Sequence, residues 1–258
     1  GLNKARSNLS EMKSWDFQEV KDVAVDQWNQ LLSKARVTGT EENKKIFYTA
    51  MYHSYLQPVN RTGENPKWVS DEPYYDDYFA IWDTFRATHP LFTLLTPSVQ
   101  TDMIRSLIDI YKHDGYMPDA RSGNDNGRVQ GGTDCDILIA DAMVKGLKNI
   151  DYETALQSMV KNAEVAPGGD ERKEGRGGIA DYNALGYVST AYERAGSRTF
   201  EYANCDFAIA TVASALGKHD VAEKYYQRAN NWQNIWNDGI ESLGHKGFLW
   251  PKNVDGTW

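Results

Sequence analysis

The feature that most limits the fold of this chain is the spacing of its breaks. Apolar residues at helical spacing recur along most of the 258 residues and predict helices at roughly 14–36, 40–56, 79–95, 97–113, 134–148, 151–165, 199–216 and 218–237. Three of the breaks between them, "TPS" (96–98), "KNID" (148–151) and "LGKHD" (216–220), are too short for anything but antiparallel neighbours. The others, 57–78, 114–133 and 166–198, are long and rich in Gly, Asp, Asn and Tyr, and should gather at the opposite end. Few stretches show the period-2 alternation of strands. The pattern is that of an all-α fold of helical hairpins set side by side, as a solenoid or closed into a toroid. "DVAEKYYQRANNWQNIW" has the texture of a tetratricopeptide repeat, but the helix starts do not recur at a fixed period, which excludes a true repeat array.

A net charge of -8 argues against a general nucleic-acid binder, whose affinity rests on a basic patch. Fifteen Tyr and eight Trp suit a carbohydrate-facing surface, and equally an ordinary core. Two cysteines, Cys135 in "DCD" and Cys205 in "NCD", make no disulfide framework and have no metal-ligand spacing; each is predicted at the start of a helix. No apolar run is long enough to span a membrane. The sequons at Asn8 and Asn60 would accept glycans in a secreted chain.

Three segments carry candidate chemistry, each with a bland reading beside it. In "AIWDTFRATHPLF", Trp82, Asp83 and Arg86 fall at i, i+1 and i+4. Asp83 and Arg86 would share a helix face, either as an ion pair over a core Trp or as an aromatic, a carboxylate and a guanidinium that grip a sugar. In "QGGTDCDILIADAMVKG", Thr133 and Asp136 resemble a capping box, while Asp141 sits in an apolar stretch and finds a partner in Lys145 one turn on. In "SRTFEYANCDFAIATVASALGK", Phe200, Ala203, Phe207, Ala210 and Ser214 would bury one stripe. Glu201, Asn204, Cys205 and Asp206 crowd its first turns, either to suit the helix dipole or because Glu201 is a general acid. Signatures of EF-hands, dinucleotide folds, zinc proteases and serine hydrolases are missing.

Taken together, "IFYTAMYHSYLQP", "IWDTFRATHPLFTLL", "GGTDCDILIADAMVKG", "GRGGIADYNALGYV", "RTFEYANCDFAIATVASALGK" and "GFLWPKNVDGTW" resemble glycoside hydrolase family 92, in the family's order from about residue 46 onward. The resemblance implies a calcium-dependent, inverting exo-α-mannosidase, acting on terminal mannose of N-glycans or mannans with α-1,2 linkage as the default. It implies an α/α toroid of the (α/α)6 type, of which residues 1–258 are a part, and a secreted, extracellular or periplasmic location. Carried over by motif, Glu201 is the general acid, Trp82, Asp83 and Arg86 line the pocket for the terminal sugar, and Asp136 faces it too. No calcium ligand is assigned. The family's base motif, its "H-E-G-N" segment and its N-terminal β-sandwich are not found in these residues. The expectation is therefore a fragment, inactive alone, whose base and β-sandwich belong to a longer protein. The rival expectation is a non-catalytic mannose-binding or helical scaffold module.

Overall fold

The computed structural model describes residues 2–78, 80–127, 131–167 and 174–258. Its Cα packing divides into two units, Gly1–Val59 and Asn60–Trp258. The first holds α1 (Leu2–Leu9), α2 (Phe17–Leu32) and α3 (Glu41–Ser54). Each of the two longer helices starts at a side-chain cap. Asp16 accepts from the N–H of Gln18 and Glu19, and Thr40 from that of Asn43. The hairpin closes through Trp28 against Tyr52, ring centroids 4.4 Å apart, and through the Tyr48 hydroxyl, which donates to the Ala35 carbonyl.

The second unit contains α4 (Ile81–Thr84), α5 (Thr88–Leu95), α6 (Pro97–Asp114), α7 (Cys135–Val144), α8 (Tyr152–Glu164), α9 (Ile179–Leu185), α10 (Ala195–Ala215) and α11 (His219–Arg228). The α6 helix opens with Pro97, whose missing N–H costs nothing there, and closes at Gly115 in the left-handed region. Its Met103, Ile104, Leu107 and Ile110 are buried, and it packs on α5, α7 and α8. The α10 helix packs on α7, α8 and α11. Hairpins α7–α8 and α10–α11 turn through Gly146 and Gly217, both at positive φ.

The predicted helix at 79–95 is broken in two, and its first residue lies outside the described residues. Pro90 accounts for the break: it has no N–H to give the Arg86 carbonyl, and Ala87 leaves helical geometry at φ -140. The predicted helix at 199–216 starts four residues earlier, at Ala195. That at 218–237 stops at Arg228, where Asn230 turns its amide back onto the Tyr226 carbonyl. A 3-10 turn (Asn231–Ile235) then leads into a hairpin that the sequence does not predict, Trp236–Ser242 with His245–Leu249. Leu243 and Gly244 both have positive φ, the primed turn that matches strand twist, but Leu-Gly is not a usual signal for it. Gly247 is required: a Cβ there would lie 2.3 Å from the Trp236 ring. The described fold is thus helix-rich with short two-stranded ribbons, rather than purely helical.

The long loops do gather, in the parts described. Trp68 and Ser70 of the first donate to Asp109 of α6. The buried Arg121 of the second donates to Asn126 (2.6 Å) and Asp114 (3.1 Å), and its Nε lies 3.4 Å from Asp76 of the first. The third loop reaches the second where Arg176 Nε donates to Thr133 Oγ1. Residues 128–130 and 168–173 of these loops lie outside the described residues.

Candidate active site

The α10 helix places the candidate acid. Its buried face is Thr199, Tyr202, Cys205, Asp206, Ile209 and Val212, so the predicted stripe through Phe200, Phe207 and Ser214 is displaced. Phe200 and Phe207 are about half exposed, and only Ala203 and Ala210 of that stripe are buried. The reason is Tyr202: it stands edge-on to Tyr182, takes Arg176 over its ring and donates to the Gly177 carbonyl (2.8 Å). That turns the neighbouring Phe200 and Glu201 outward. Because the helix begins at Ala195, Glu201 is its seventh residue and Cys205 its eleventh. The dipole reading of Glu201 therefore fails, since that effect fades beyond the first turn. Cys135 does begin α7, and both cysteines are free and buried.

Glu201 opens into a groove of about 590 Å³ lined by Arg86, Phe200, Asn204, Phe207, Tyr226 and Trp232, among others. Arg86 reaches it from the turn after α4. One guanidinium nitrogen lies 3.4 Å from Glu201 Oε1, while Nε donates to the Trp82 carbonyl. Arg86 thus pairs across the fold with Glu201, not along its own helix with Asp83. Trp82 is half-buried and Asp83 exposed, and neither lines this groove. A larger groove, about 900 Å³, runs beside α5, α6 and residues 145–149 and contains none of the candidate site residues.

Asp136 does not face the groove. Its side chain has no exposure and is bonded to Thr133 (2.6 Å) and Arg176 (3.3 Å). The capping-box expectation fails: Asp134 stands at the N-cap with no side-chain cap bond, and the Thr133 hydroxyl donates to the Asp136 carboxylate instead of accepting from a helix N–H. Arg176, equally buried, also donates to Asp206 Oδ1 at 2.6 Å. Asp206 Oδ2 accepts from Tyr182 and from Arg228, which goes on to Glu164 (2.8 Å). This network ties the third loop to α7, α10 and α11, so Asp136 supports the wall behind the groove. Asp141, predicted to need a partner, is half-buried and bonded to Lys145 at 2.8 Å.

Asp119, Asp134 and Arg176 carry no signal in the sequence, and Asp206 stands there only as one of the polar residues near the start of its predicted helix. Asp119 and Asp134 look like loop and cap residues, and only their common burial at one point sets them apart. Burial, then the neighbouring carboxyls, pushes the Asp119 carboxyl well above the usual range. Asp134 is pushed up to about 7 by burial first, then by the charges of Glu201 and Asp136. Among the described residues no three His, Cys, Asp or Glu side chains converge as metal ligands. The Asp119–Asp134 pair alone falls short of the six to eight oxygens calcium takes, so these residues do not fit a calcium cage.

The glycosyl hydrolase family 92 catalytic domain matches residues 4–258. A secreted glycosidase of the fungus Arthroderma benhamiae is 33% identical over 95% of this chain and 30% of its own length. A family GH92 inverting mannosidase of Bacteroides thetaiotaomicron superposes with a TM-score of 0.90 at 34% identity, covering 100% of this chain and 36% of that one. A GH92 α-mannosidase of the same bacterium gives 0.87 at 25% identity, covering 99% and 34%. The chain thus spans about a third of the length of these relatives. Among the described residues no helix is long and apolar enough to cross a membrane. On the family match and the relatives together, the chain belongs to glycosyl hydrolase family 92.

Proposed function

We propose that this chain is part of the helical domain of an inverting exo-α-mannosidase that removes terminal α-linked mannose, α-1,2 first, from N-glycans or mannans. The observation that carries the proposal is Glu201, on the motif "RTFEYA", opening into a groove opposite Arg86. Glu201 donates its proton to the leaving glycosidic oxygen. Arg86, with five donors in a fixed fork, and the Asn204 amide hold sugar hydroxyls. Trp82 and Asp83, on α4 next to Arg86, extend the terminal-sugar subsite beyond this groove's lining. An inverting enzyme needs a second carboxylate roughly 6.5–9.5 Å from the first, with water between them. Among the described residues that line the groove Glu201 is the only carboxylate, so the proposal takes the base from outside this chain.

The proposal includes closure of these hairpins, with others, into an α/α toroid, an adjoining β-sandwich, and a secreted, extracellular or periplasmic location. Calcium dependence also belongs to it, with ligands from outside the described residues. The test is mannose released from α-1,2-mannobiose by the full-length protein, with calcium and with chelator. Release that chelator abolishes supports the reading. No release from folded, full-length protein on α-1,2-, α-1,3- or α-1,6-mannobiose would replace it with a non-catalytic mannose-binding or scaffold module.

A further inference from the structure

The Glu201 side chain is held on two sides. From the turn after α4, Arg86 lies 3.4 Å from its carboxylate. From the loop before α7, the bare backbone of Gly131 and Gly132 lies against its methylenes. A Cβ at Gly131 would stand 3.3 Å from Glu201 Cγ and 4.0 Å from Glu201 Cβ, and beyond its chain neighbours it would meet no other described atom within 4 Å. A Cβ at Gly132 would stand 3.4 Å from Glu201 Cβ, but also 3.3 Å from Cys205 Sγ and 3.2 Å from Asp134 Oδ1. Glu201 and Cys205 are one turn apart on α10, so the two glycines lie along one strip of that helix. Gly132 is thus hemmed in by the core, whereas the bare backbone at Gly131 leaves room for Glu201 alone.

The loop is not free to yield to an added side chain. Thr133, the next residue, donates to Asp136 at 2.6 Å and accepts from Arg176 Nε at 3.2 Å, all three buried. The Asp134 N–H donates to Asp119 Oδ1 at 3.0 Å. A methyl group at Gly131 would therefore act on the partner that can move, and Glu201 opens into the groove. Its Cγ would have to give by a few tenths of an ångström. The carboxyl, bonded to Cγ, would move with it.

We propose that Gly131 is a positioning residue: its bare backbone, fixed by the bonds of Thr133 and Asp134, holds the Glu201 side chain so that the carboxyl meets the leaving glycosidic oxygen. This role rests on the general-acid reading of Glu201. Proton transfer depends on the placement of the acid, and small misplacements of a catalytic group are costly. A glycine needed only for folding would change stability and leave the dependence on leaving group untouched.

The test compares the full-length enzyme with its Gly131→Ala and Glu201→Gln variants on two substrates. The sugar leaving group of α-1,2-mannobiose needs a proton, and the phenolate of dinitrophenyl α-mannoside departs without one. The expected result for Gly131→Ala is a kcat about tenfold lower on mannobiose, with KM unchanged and normal turnover of the dinitrophenyl substrate. Glu201→Gln should show the same split, more steeply. A split in Glu201→Gln without one in Gly131→Ala overturns the positioning role alone, as does an equal fall of Gly131→Ala on both substrates. Normal turnover of mannobiose by Glu201→Gln overturns the acid reading and this role with it. If Gly131→Ala does not fold, Gly131→Asn presents the same Cβ and tolerates left-handed backbone; failure of both to fold makes the glycine structural and overturns the role. If the enzyme cleaves neither substrate, the mannosidase reading fails and the crystal structure of Gly131→Ala decides. A displaced Glu201 carboxyl is then required, and an unmoved one overturns the role.

Discussion

Arg86 and Glu201, 115 positions apart in sequence, meet at 3.4 Å across the mouth of the groove. The pair joins the turn before α5 to the second turn of α10, two elements that no local pattern links. Arg86 keeps 58% of its side chain exposed and Glu201 20%, so both remain available to a ligand. As a partly exposed pair with a single contact, it contributes little to folding stability.

Glu201→Gln keeps the shape of the side chain and removes its proton. Turnover of α-mannosides by the full-length enzyme should fall by about 10²–10⁴-fold, the usual worth of a general acid. The thermal midpoint should stay within a few degrees of wild type. Near-normal turnover would assign the acid elsewhere.

Arg86→Met should separate binding from stability. An exposed pair of this kind contributes at most about 1 kcal/mol to folding, so the denaturation midpoint should hardly move. The kcat/KM should fall at least about tenfold, equivalent to roughly 1.4 kcal/mol of lost transition-state contact. A variant that unfolds early but turns over normally when folded would make Arg86 a structural residue.

Asp206→Ala would strip one partner from a buried guanidinium. Among the described residues Arg176 would keep Asp136 and Thr133 as hydrogen-bond partners, and Arg228 and Tyr182 would each lose an acceptor. Removing one side of a buried pair typically costs about 3–5 kcal/mol. Urea denaturation should show a loss of that order, and adding Arg176→Met should recover part of it. Strict additivity of the two changes would argue that they do not interact.

His89 is buried against Gln100 (3.0 Å), and burial lowers its pKa to about 4 from 6.5. Between those values the unfolded chain binds the extra proton, so His89 contributes stability that is present above pH 6.5 and lost as pH falls towards 4. The slope for one proton is about 1.4 kcal/mol per pH unit. Asp134 runs the opposite way, because its folded carboxyl titrates near 7 and its unfolded one near 3.8. Its contribution is present at low pH and lost as pH rises to 7. Denaturation midpoints of His89→Gln, compared with wild type from pH 4 to 6.5, should lack the rise due to His89. Parallel curves would mean that His89 is protonated in the fold.

Much of the architecture is legible along the chain. The 97–113 and 151–165 helices come out within a residue or two because Pro97, Gly115 and Asp151 mark their ends with local chemistry. The hairpin at Trp236–Leu249 is not legible, since its turn uses Leu243 in a left-handed conformation that no propensity favours. Nor is the facing of α10. Phe200 and Phe207 are more apolar than Tyr202, but Tyr202 alone can bury its ring and still satisfy its hydroxyl on Gly177.

By itself the sequence determined the helical hairpins, the ends at which long and short connections lie, and the ordered motifs that place the chain in its family. Those depend on residues a few positions apart, where periodicity and capping act. Only the tertiary structure decided that Asp136 belongs to a buried ion network and not to the groove, that Arg86 pairs with Glu201, and that Asp119 meets Asp134. A carboxylate's role follows from what surrounds it in space. Burial and charge partners come from segments 15 to 115 residues away, a range over which the sequence carries no local signal.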